Sequence, residues 1–316
     1  MKRLAMGLLL AALSAASFAQ YPTKPVRVVI HFPAGGSTDV VTRILAQALG
    51  ESMGQPFIVE NKVGADGAIA AAQVIQSPPD GYTLFVATNT PMMQVPLLKK
   101  EPPYDPLTAF QPISLVGRYT FVLVITPSLP AKSMSEFIAY ARANPGKINF
   151  ASYSGASQLA YAQIVKTAGV DMLRVPYKGE APSVADILGG QIHAVFATPT
   201  VTLSHLKEGR LRALAVTTPT RSPLLPEVPT TVEAGMPPIG VEFFAALFGP
   251  AKLPADIAAR ISAELNAAIA LPRIREQIDR QGFAPAGSTP AELGAFVKQQ
   301  LDAWSRGFRD AGINPE

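Results

Sequence analysis

The sequence contains no cysteine, and histidine and tryptophan are scarce, with three and one residues among 316. The lack of cysteine excludes a disulfide-stapled fold, a thiol nucleophile and thiolate metal sites. The three histidines, His31, His193 and His205, are scattered along the chain and leave little for a metal centre. We therefore expect neither a bound metal nor a cofactor.

Charge is also sparse in this chain. Lys and Arg number 27, Asp and Glu number 23, and charged residues make up 16% of the sequence. The basic residues form no cluster, so we expect no nucleic-acid partner. Apolar residues make up 48%, which excludes an intrinsically disordered chain.

The longest apolar run lies at the N-terminus. Lys2 and Arg3 precede an apolar segment at 4–13, and Ser17-Phe18-Ala19 has the small-x-small pattern of a cleavage site. These features predict a secretory signal peptide, residues 1–19, cleaved near Ala19. No later run reaches the ~18 apolar residues that a membrane-spanning helix needs. The sequence therefore predicts an exported protein.

The rest of the chain alternates strand and helix patterns. Val26–Ile30 is rich in β-branched residues, and apolar residues then recur at helical spacing from Val40 to Met53, with Gly54 as a C-terminal cap. Similar strand–helix units follow. This repetition favours parallel sheets with helices on both faces.

Two proline-rich stretches, 91–112 and 219–238, lack periodicity and indicate connections on either side of a central block of strand–helix units. We predict an α/β fold with two lobes, two crossover connections and a ligand cleft between the lobes. The predicted limits are 20–121 and 243–316 for the first lobe and 122–242 for the second.

Residues 32–39, Phe-Pro-Ala-Gly-Gly-Ser-Thr-Asp, form a turn between the first strand and the first helix, which we call the glycine turn. Its paired glycines let the backbone approach a ligand, and Ser37 or Thr38 can cap a helix whose unpaired N–H groups suit an anion. The structural alternative is a tight turn in which Asp39 complements the helix dipole. The glycine spacing matches neither a Walker loop nor a dinucleotide-binding fingerprint.

Three further strands end in small or polar turns that lead into helix starts, at residues 88–90, 152–158 and 177–182. In open parallel sheets, ligands bind at the carboxyl ends of the strands. Four such turns predict an anion-binding cleft.

The evidence for catalysis is weak. A Gly-x-Ser-x-Gly nucleophile elbow is missing, and an esterase that used Ser154 or Ser157 would lack a convincing base. We interpret His193 and His205 as structural or solvated. His31 adjoins the glycine turn and has two interpretations, ligand contact and packing.

Several longer motifs occur together from Tyr21 to the C-terminus. With the glycine turn, they are YPTKP at 21–25, VENK at 59–62, PPDGYTL at 78–84, VPYKG at 175–179, LGGQ at 188–191, GRLRALAV at 209–216 and LPEVPT at 225–230. The combination resembles the Bug (TctC-like) family, the extracytoplasmic solute receptors of tripartite tricarboxylate transporters.

This resemblance implies a monomeric periplasmic binding protein of the type II-like class, without enzymatic activity. Its two lobes would close over a small di-, tri- or aromatic carboxylate and deliver it to the membrane subunits of the transporter; the alternative is a receptor that signals to a sensor protein. The family holds carboxylates with turn N–H groups, hydroxyls and water rather than with an arginine. The matching positions are Phe32, Ala34, Gly35, Gly36, Ser37, Thr38, Thr88, Asn89, Ser154, Gly155, Ser157, Gln158, Tyr177, Lys178 and Thr198.

Some residues depart from the pattern of the family. His31 stands where an apolar residue or proline is common, and Glu180 where small or polar residues are usual. A carboxylate at the rim would repel a second one unless it is protonated or turned outward, and it would favour an amino or amide donor. The alternative for Glu180 is a solvent-facing position. Thr198 is neutral where some amino-acid-binding relatives carry Asp, which weakens the case for an amino-acid ligand.

Overall fold

The computed structural model describes residues 21–238 and 241–315. The predicted signal peptide, residues 1–19, lies outside the described residues. Two β-sheets, each flanked by helices, form two lobes. In the part of the chain that the structure describes, no helix is both long and apolar enough to cross a membrane.

The first lobe is built on a six-stranded sheet of order β11-β4-β10-β3-β1-β2. Its strands are β1 Val26–Ile30, β2 Phe57–Asn61, β3 Thr83–Thr88, β4 Phe110–Tyr119, β10 Phe244–Pro250 and β11 Phe283–Pro285. β1 pairs in parallel with β2 and β3, as predicted, but β10 runs antiparallel to both β3 and β4. The prediction of a parallel sheet is therefore wrong for β10, because this strand returns from the second lobe and enters the sheet from the opposite end.

The second lobe is built on a five-stranded sheet of order β7-β6-β8-β5-β9. Its strands are β5 Val122–Ile125, β6 Asn149–Ser152, β7 Leu173–Pro176, β8 Ala194–Ala197 and β9 Arg212–Val216. β6 is parallel to β7 and β8, whereas β5, the first strand to enter this lobe, is antiparallel to β8 and β9. Both sheets are therefore mixed.

The helices lie between the strands in the predicted order. They are α1 Ser37–Met53, α2 Ala68–Ile75, α3 Val95–Leu98, α4 Met134–Ala143, α5 Gly155–Ala168, α6 Glu180–Leu188, α7 Pro199–Lys207, α8 Ala255–Ala270, α9 Pro272–Asp279 and α10 Pro290–Ala311. Hydroxyl side chains cap several of them: Ser133, Ser154 and Thr289 each accept a backbone N–H from the first turn of the helix that follows.

The chain passes between the two sheets twice, at residues 120–121 and again between β9 and β10. The proline-rich stretch at 91–112 is therefore not a crossing, contrary to our interpretation. It stays in the first lobe, where Thr90–Gln94 and α3 form helical turns and β4 begins at Phe110. The limits of the lobes to the single residue stay a prediction.

Apolar packing joins the C-terminal helix to the first lobe. Trp304 on α10 is fully buried, with ring centroids 5.9 Å from Phe243 and 5.4 Å from Phe308. This packing attaches the C-terminal part of the chain to the first lobe. The carboxyl ends of β1 and β3 face the second lobe.

Candidate functional site

A cavity lies between the lobes, at the ends of β1 and β3 in the first lobe and β6 and β8 in the second. Turns and helix starts supply most of its wall, together with aromatic side chains. The lining residues are Phe32, Pro33, Gly36, Ser37, Thr38, Thr88, Asn89, Thr90, Tyr119, Phe121, Tyr153, Ser154, Ala156, Glu180 and Thr198.

The glycine turn is held in shape by Asp39. Its Oδ2 accepts the backbone N–H of Gly35 at 3.1 Å, and its carboxylate also accepts hydrogen bonds from Arg43 and Asn61. Gly35 has φ +87°, a conformation that favours glycine. Burial opposes the ionisation of Asp39, but the hydrogen bonds from Arg43, Asn61 and Gly35 outweigh it and lower its pKa. Asp39 therefore fixes the turn through these hydrogen bonds, and the choice between the structural and the anion-binding interpretations stays a prediction.

Glu180 lies inside the cavity, so the solvent-facing alternative is wrong. The residue is only 6% exposed. Its Oε2 accepts the backbone N–H of Ser37 at 3.2 Å, and its Oε1 accepts the N–H of Thr198 at 2.5 Å and the hydroxyl of Tyr153 at 3.1 Å. Ser37 belongs to the first lobe, whereas Tyr153 and Thr198 belong to the second. One carboxylate thus bridges the two lobes.

The two backbone donors to Glu180 come from helix starts. Ser37 is the first residue of α1, and Thr198 directly precedes α7. The N–H groups at a helix start have no partner within the helix and lie at the positive end of its dipole, so they favour a negative charge. Two helices, one from each lobe, therefore converge on the same carboxylate.

No positively charged residue compensates Glu180 within the cavity. Neither Lys, Arg nor His occurs among the lining residues that the structure describes. Burial raises the pKa of Glu180, and hydrogen bonds from Thr198, Ser37 and Tyr153 oppose this rise only in part. The carboxyl is thus stabilised by dipoles alone.

An aromatic wall forms the rest of the cavity. The rings of Phe32 and Phe121 each lie edge-on to Tyr153, with both centroid distances at 6.4 Å. Tyr119 stacks near Phe121 at 5.9 Å, and its hydroxyl lies 2.7 Å from Oγ1 of Thr38. The Ser37 hydroxyl is buried at the same cavity without a hydrogen-bond partner. The cavity therefore combines an aromatic wall with an unpartnered hydroxyl.

About half of the sequence-predicted site residues line the cavity. They are Phe32, Gly36, Ser37, Thr38, Thr88, Asn89, Ser154 and Thr198. The others, Ala34, Gly35, Gly155, Ser157, Gln158, Tyr177 and Lys178, do not. Whether a ligand contacts any of them stays a prediction.

Residues 177–178 point away from the cavity. The hydroxyl of Tyr177 donates to Oδ2 of Asp186 at 2.6 Å, and Lys178 is exposed. Gln158 bonds to Gln94 of the first lobe through a 3.2 Å Nε2–Oε1 contact. Gln158 and Tyr177 line a separate depression at the mouth between the lobes.

The serines of the second-lobe turn accept hydrogen bonds from backbone N–H groups. Ser154 caps α5 by accepting the N–H of Ser157, and Oγ of Ser157 accepts the N–H groups of Tyr153 and Ser154. The N–H of Gly155 donates to Oγ1 of Thr90 across the cleft at 3.2 Å. Among the described residues, no histidine or carboxylate is hydrogen-bonded to either serine.

His31 and Asn89 have structural partners. His31 is buried, its Nε2 lies 3.1 Å from Oγ1 of Thr88, and its ring packs on Phe32 at 4.0 Å, which supports packing rather than ligand contact. Burial lowers its pKa to about 3, so the ring is neutral. Asn89 borders the cavity, but its amide bonds to the backbone at and just before the start of β10: it donates to the carbonyl of Glu242 and accepts the N–H of Phe244.

Tyr119 and Phe121 are site residues that the sequence analysis missed. They lie at the first crossing between the lobes and line the cavity. The signal that would have found them is the pair of aromatic residues around Thr120, at the point where the chain leaves the first lobe.

Comparison with known proteins identifies relatives along nearly the whole chain. The family model described as "Tripartite tricarboxylate transporter family receptor" matches residues 41–313. Protein BugT of Bordetella pertussis is 34% identical over 297 residues, which cover 92% of this chain and 90% of BugT.

Solved structures of similar proteins share the fold. The periplasmic binding protein BugD is 34% identical with a TM-score of 0.89, covering 94% of this chain and 100% of that one. The Rhodopseudomonas palustris protein MatC, with bound malate, is 28% identical with a TM-score of 0.84 and covers 91% and 99%. Rpa4515 of R. palustris, with adipate, is 31% identical with a TM-score of 0.90 and covers 94% and 100%.

Proposed function

The chain belongs to the family of tripartite tricarboxylate transporter receptors, and from this premise we propose that it is a periplasmic solute-binding protein for a small carboxylate. The solute binds in the cleft between the lobes. The protein delivers it to the membrane subunits of a tripartite tricarboxylate transporter and catalyses no reaction. Di- and tricarboxylates and aromatic carboxylates are the solute classes to test.

The observation that carries this proposal is the convergence of two helix starts on one carboxylate. The N–H groups of Ser37 and Thr198 both donate to the carboxyl of Glu180. Charge-assisted hydrogen bonds of this kind are about twice as strong as neutral ones. A cleft with this donor set recognises carboxylates without an arginine.

The lobes are arranged as in a closed receptor. Besides Glu180, the Oγ1 of Thr200 donates across the cleft to the carbonyl of Gln281 at 2.7 Å, and the Gly155–Thr90 and Gln94–Gln158 bonds add two further bridges. A solute that contacts both lobes favours this state over an open one by the free energy of those contacts. Closure then provides the signal by which membrane subunits distinguish the loaded receptor.

A carboxylate screen tests the proposal. Purified mature protein is heated with mono-, di- and tricarboxylates and with aromatic acids at pH 5.5 and pH 8, and any acid that raises the melting temperature is titrated by calorimetry. We expect at least one acid to bind, since a ligand at 100 times its dissociation constant adds about 2.7 kcal/mol of stability. If no acid binds at either pH, the proposal is wrong.

Uptake assays separate transport from signalling. Deletion of the gene for this receptor is expected to abolish uptake of the solute by cells. Normal uptake with a lost transcriptional response to the solute would instead favour a receptor that signals to a sensor protein.

A further inference from the structure

Glu180 occupies the place where the carboxylate of a solute is expected. We propose that the cleft accommodates one buried negative charge and not two, so that a carboxylate solute binds only together with one proton, which it shares with Glu180. This inference rests on the proposed function. Beyond the proposed function, it states that Glu180 makes solute binding depend on pH. Glu180 also selects between charged and uncharged forms of a solute.

The first argument is competition for donors. The carboxyl of Glu180 already accepts the N–H of Ser37 from the first lobe and the N–H of Thr198 from the second. An incoming carboxylate that used either N–H would come to lie directly beside that of Glu180. Two carboxylates that share a site cannot both stay ionised at neutral pH.

The second argument is the lack of a counter-charge around Glu180. The groups that face it are the Ser37 N–H, the hydroxyls of Tyr119 and Tyr153, and the N–H and side chain of Thr198. Asp39, on the same helix as Ser37, is bonded to Arg43, Asn61 and Gly35 rather than to the cavity.

Within its own segment, Glu180 also lacks a cationic partner. Lys178, two residues before it, is exposed, and Asp186 on α6 is half-buried and accepts the hydroxyl of Tyr177. Among the described residues, no cation lines the cavity to offset a second negative charge. A proton is therefore the remaining means of neutralising it.

The two carboxyl oxygens of Glu180 differ in a way that assigns the proton. Oε1 accepts two hydrogen bonds, from the Thr198 N–H and the Tyr153 hydroxyl, and Oε2 accepts the Ser37 N–H. A proton taken from solvent goes to Oε2, which then donates to the carboxylate of the solute. The Ser37 N–H and its unpartnered hydroxyl are released to the same solute group.

Proton-linked calorimetry tests this inference with benzoate, adipate and malate as probes. Binding is measured from pH 5.5 to pH 8.5 in two buffers with different ionisation enthalpies, which gives the number of protons taken up. For the wild type we expect uptake of about one proton and an affinity that falls about tenfold per pH unit above the pKa of free Glu180. Benzamide, the uncharged analogue of benzoate, should bind without proton uptake at every pH.

Variants identify the group that takes up the proton. Glu180→Gln should bind the carboxylates without proton uptake, and at pH 8 about tenfold or more tightly than the wild type. Tyr153→Phe removes a donor to the ionised form, so it should keep the uptake of one proton and move the pH profile upward. This shift tests the inference even if Glu180→Gln fails to fold. Glu208→Gln, at an exposed carboxylate of the second lobe, is the matched control and should behave as the wild type.

Two results are decisive against the inference. Carboxylate binding by the wild type without proton uptake would overturn it and leave the proposed function intact. Failure of the wild type and Glu180→Gln to bind any carboxylate at any pH would overturn both.

Discussion

Gly179 of the second lobe lies directly against Pro33 of the first lobe. A Cβ built on Gly179 would come within 2.5 Å of Cγ and 2.6 Å of Cδ of Pro33, both on a rigid ring. The φ of Gly179 is 180°, which any residue adopts, so the backbone itself tolerates alanine. The glycine is therefore required by the closed arrangement of the lobes rather than by its own conformation.

Gly179→Ala is expected to hold the lobes apart while each lobe stays folded. Small-angle scattering with saturating solute should give a larger radius of gyration than for the wild type, and the affinity should fall about tenfold or more because the closed state carries the binding contacts. Gly189→Ala is the control, since a Cβ there meets only ordinary contacts at 3.5 Å or more within the second lobe. Equal scattering curves for Gly179→Ala and the wild type would contradict this prediction.

Gly36→Val is expected to abolish solute binding and leave the fold largely intact. A Cβ on Gly36 would lie 3.9 Å from Glu180 Oε2, an ordinary contact, so the first added carbon fits. The two further methyl groups of valine extend from there into the cavity or against Glu180. Gly36→Ala is therefore the matched control and should retain measurable binding in the same calorimetric titration. Unchanged affinity in Gly36→Val would show that the solute does not lie beside the glycine turn.

Asp39→Ala is expected to weaken both the fold and the site. It leaves the N–H of Gly35 without its acceptor and Arg43 without its carboxylate partner. Loss of these partly buried bonds to a charged group costs about 1–3 kcal/mol, measurable by urea unfolding, and the loosened glycine turn should also lower solute affinity. Glu276→Ala removes an exposed ion pair with Arg280 and serves as the control, with an expected cost below about 0.5 kcal/mol. Equal losses in the two variants would disprove the role given to Asp39.

The local parts of the fold are predictable from the sequence, whereas the long-range pairing is not. The spacing of apolar residues from Val40 to Met53 and the Gly54 cap depend on neighbours within one helical turn, and α1 forms there with Gly54 in the left-handed conformation. The antiparallel insertion of β10 depends on where the chain re-enters the first lobe, which no local pattern records.

The same distinction holds for the candidate site. The glycine turn and the start of α5 are local, and the sequence analysis identified both. The sequence left two interpretations of Glu180 open, at the rim of the site or facing solvent, because its partner Ser37 lies 143 residues away, on the other lobe. A charged residue at a helix start is usually solvated, and only the closure of the two lobes makes this one buried.

Acid should destabilise the protein through His31. Its pKa is lowered by burial from 6.5 to about 3, so the unfolded chain binds a proton at this side chain below pH 6.5 while the folded protein does not. The stability contributed by the neutral ring is present above pH 6.5 and is lost as the pH falls towards 3. The loss amounts to about 2 kcal/mol between pH 7 and pH 5.

Urea unfolding of the wild type and His31→Phe across this pH range measures the effect. Glu180 acts in the opposite direction. Its pKa is higher in the folded protein than in the unfolded chain, so the folded state gains stability as the pH falls from above the folded pKa to the unfolded pKa. It is common to both proteins, so the difference between their pH slopes isolates His31. The slope of His31→Phe should be smaller, whatever its stability at pH 7. Thr88→Val removes the hydrogen-bond partner of His31 but keeps the ring buried, and it should therefore retain the wild-type slope. If His31→Phe lost stability with acid as steeply as the wild type, the buried neutral histidine would not be the cause.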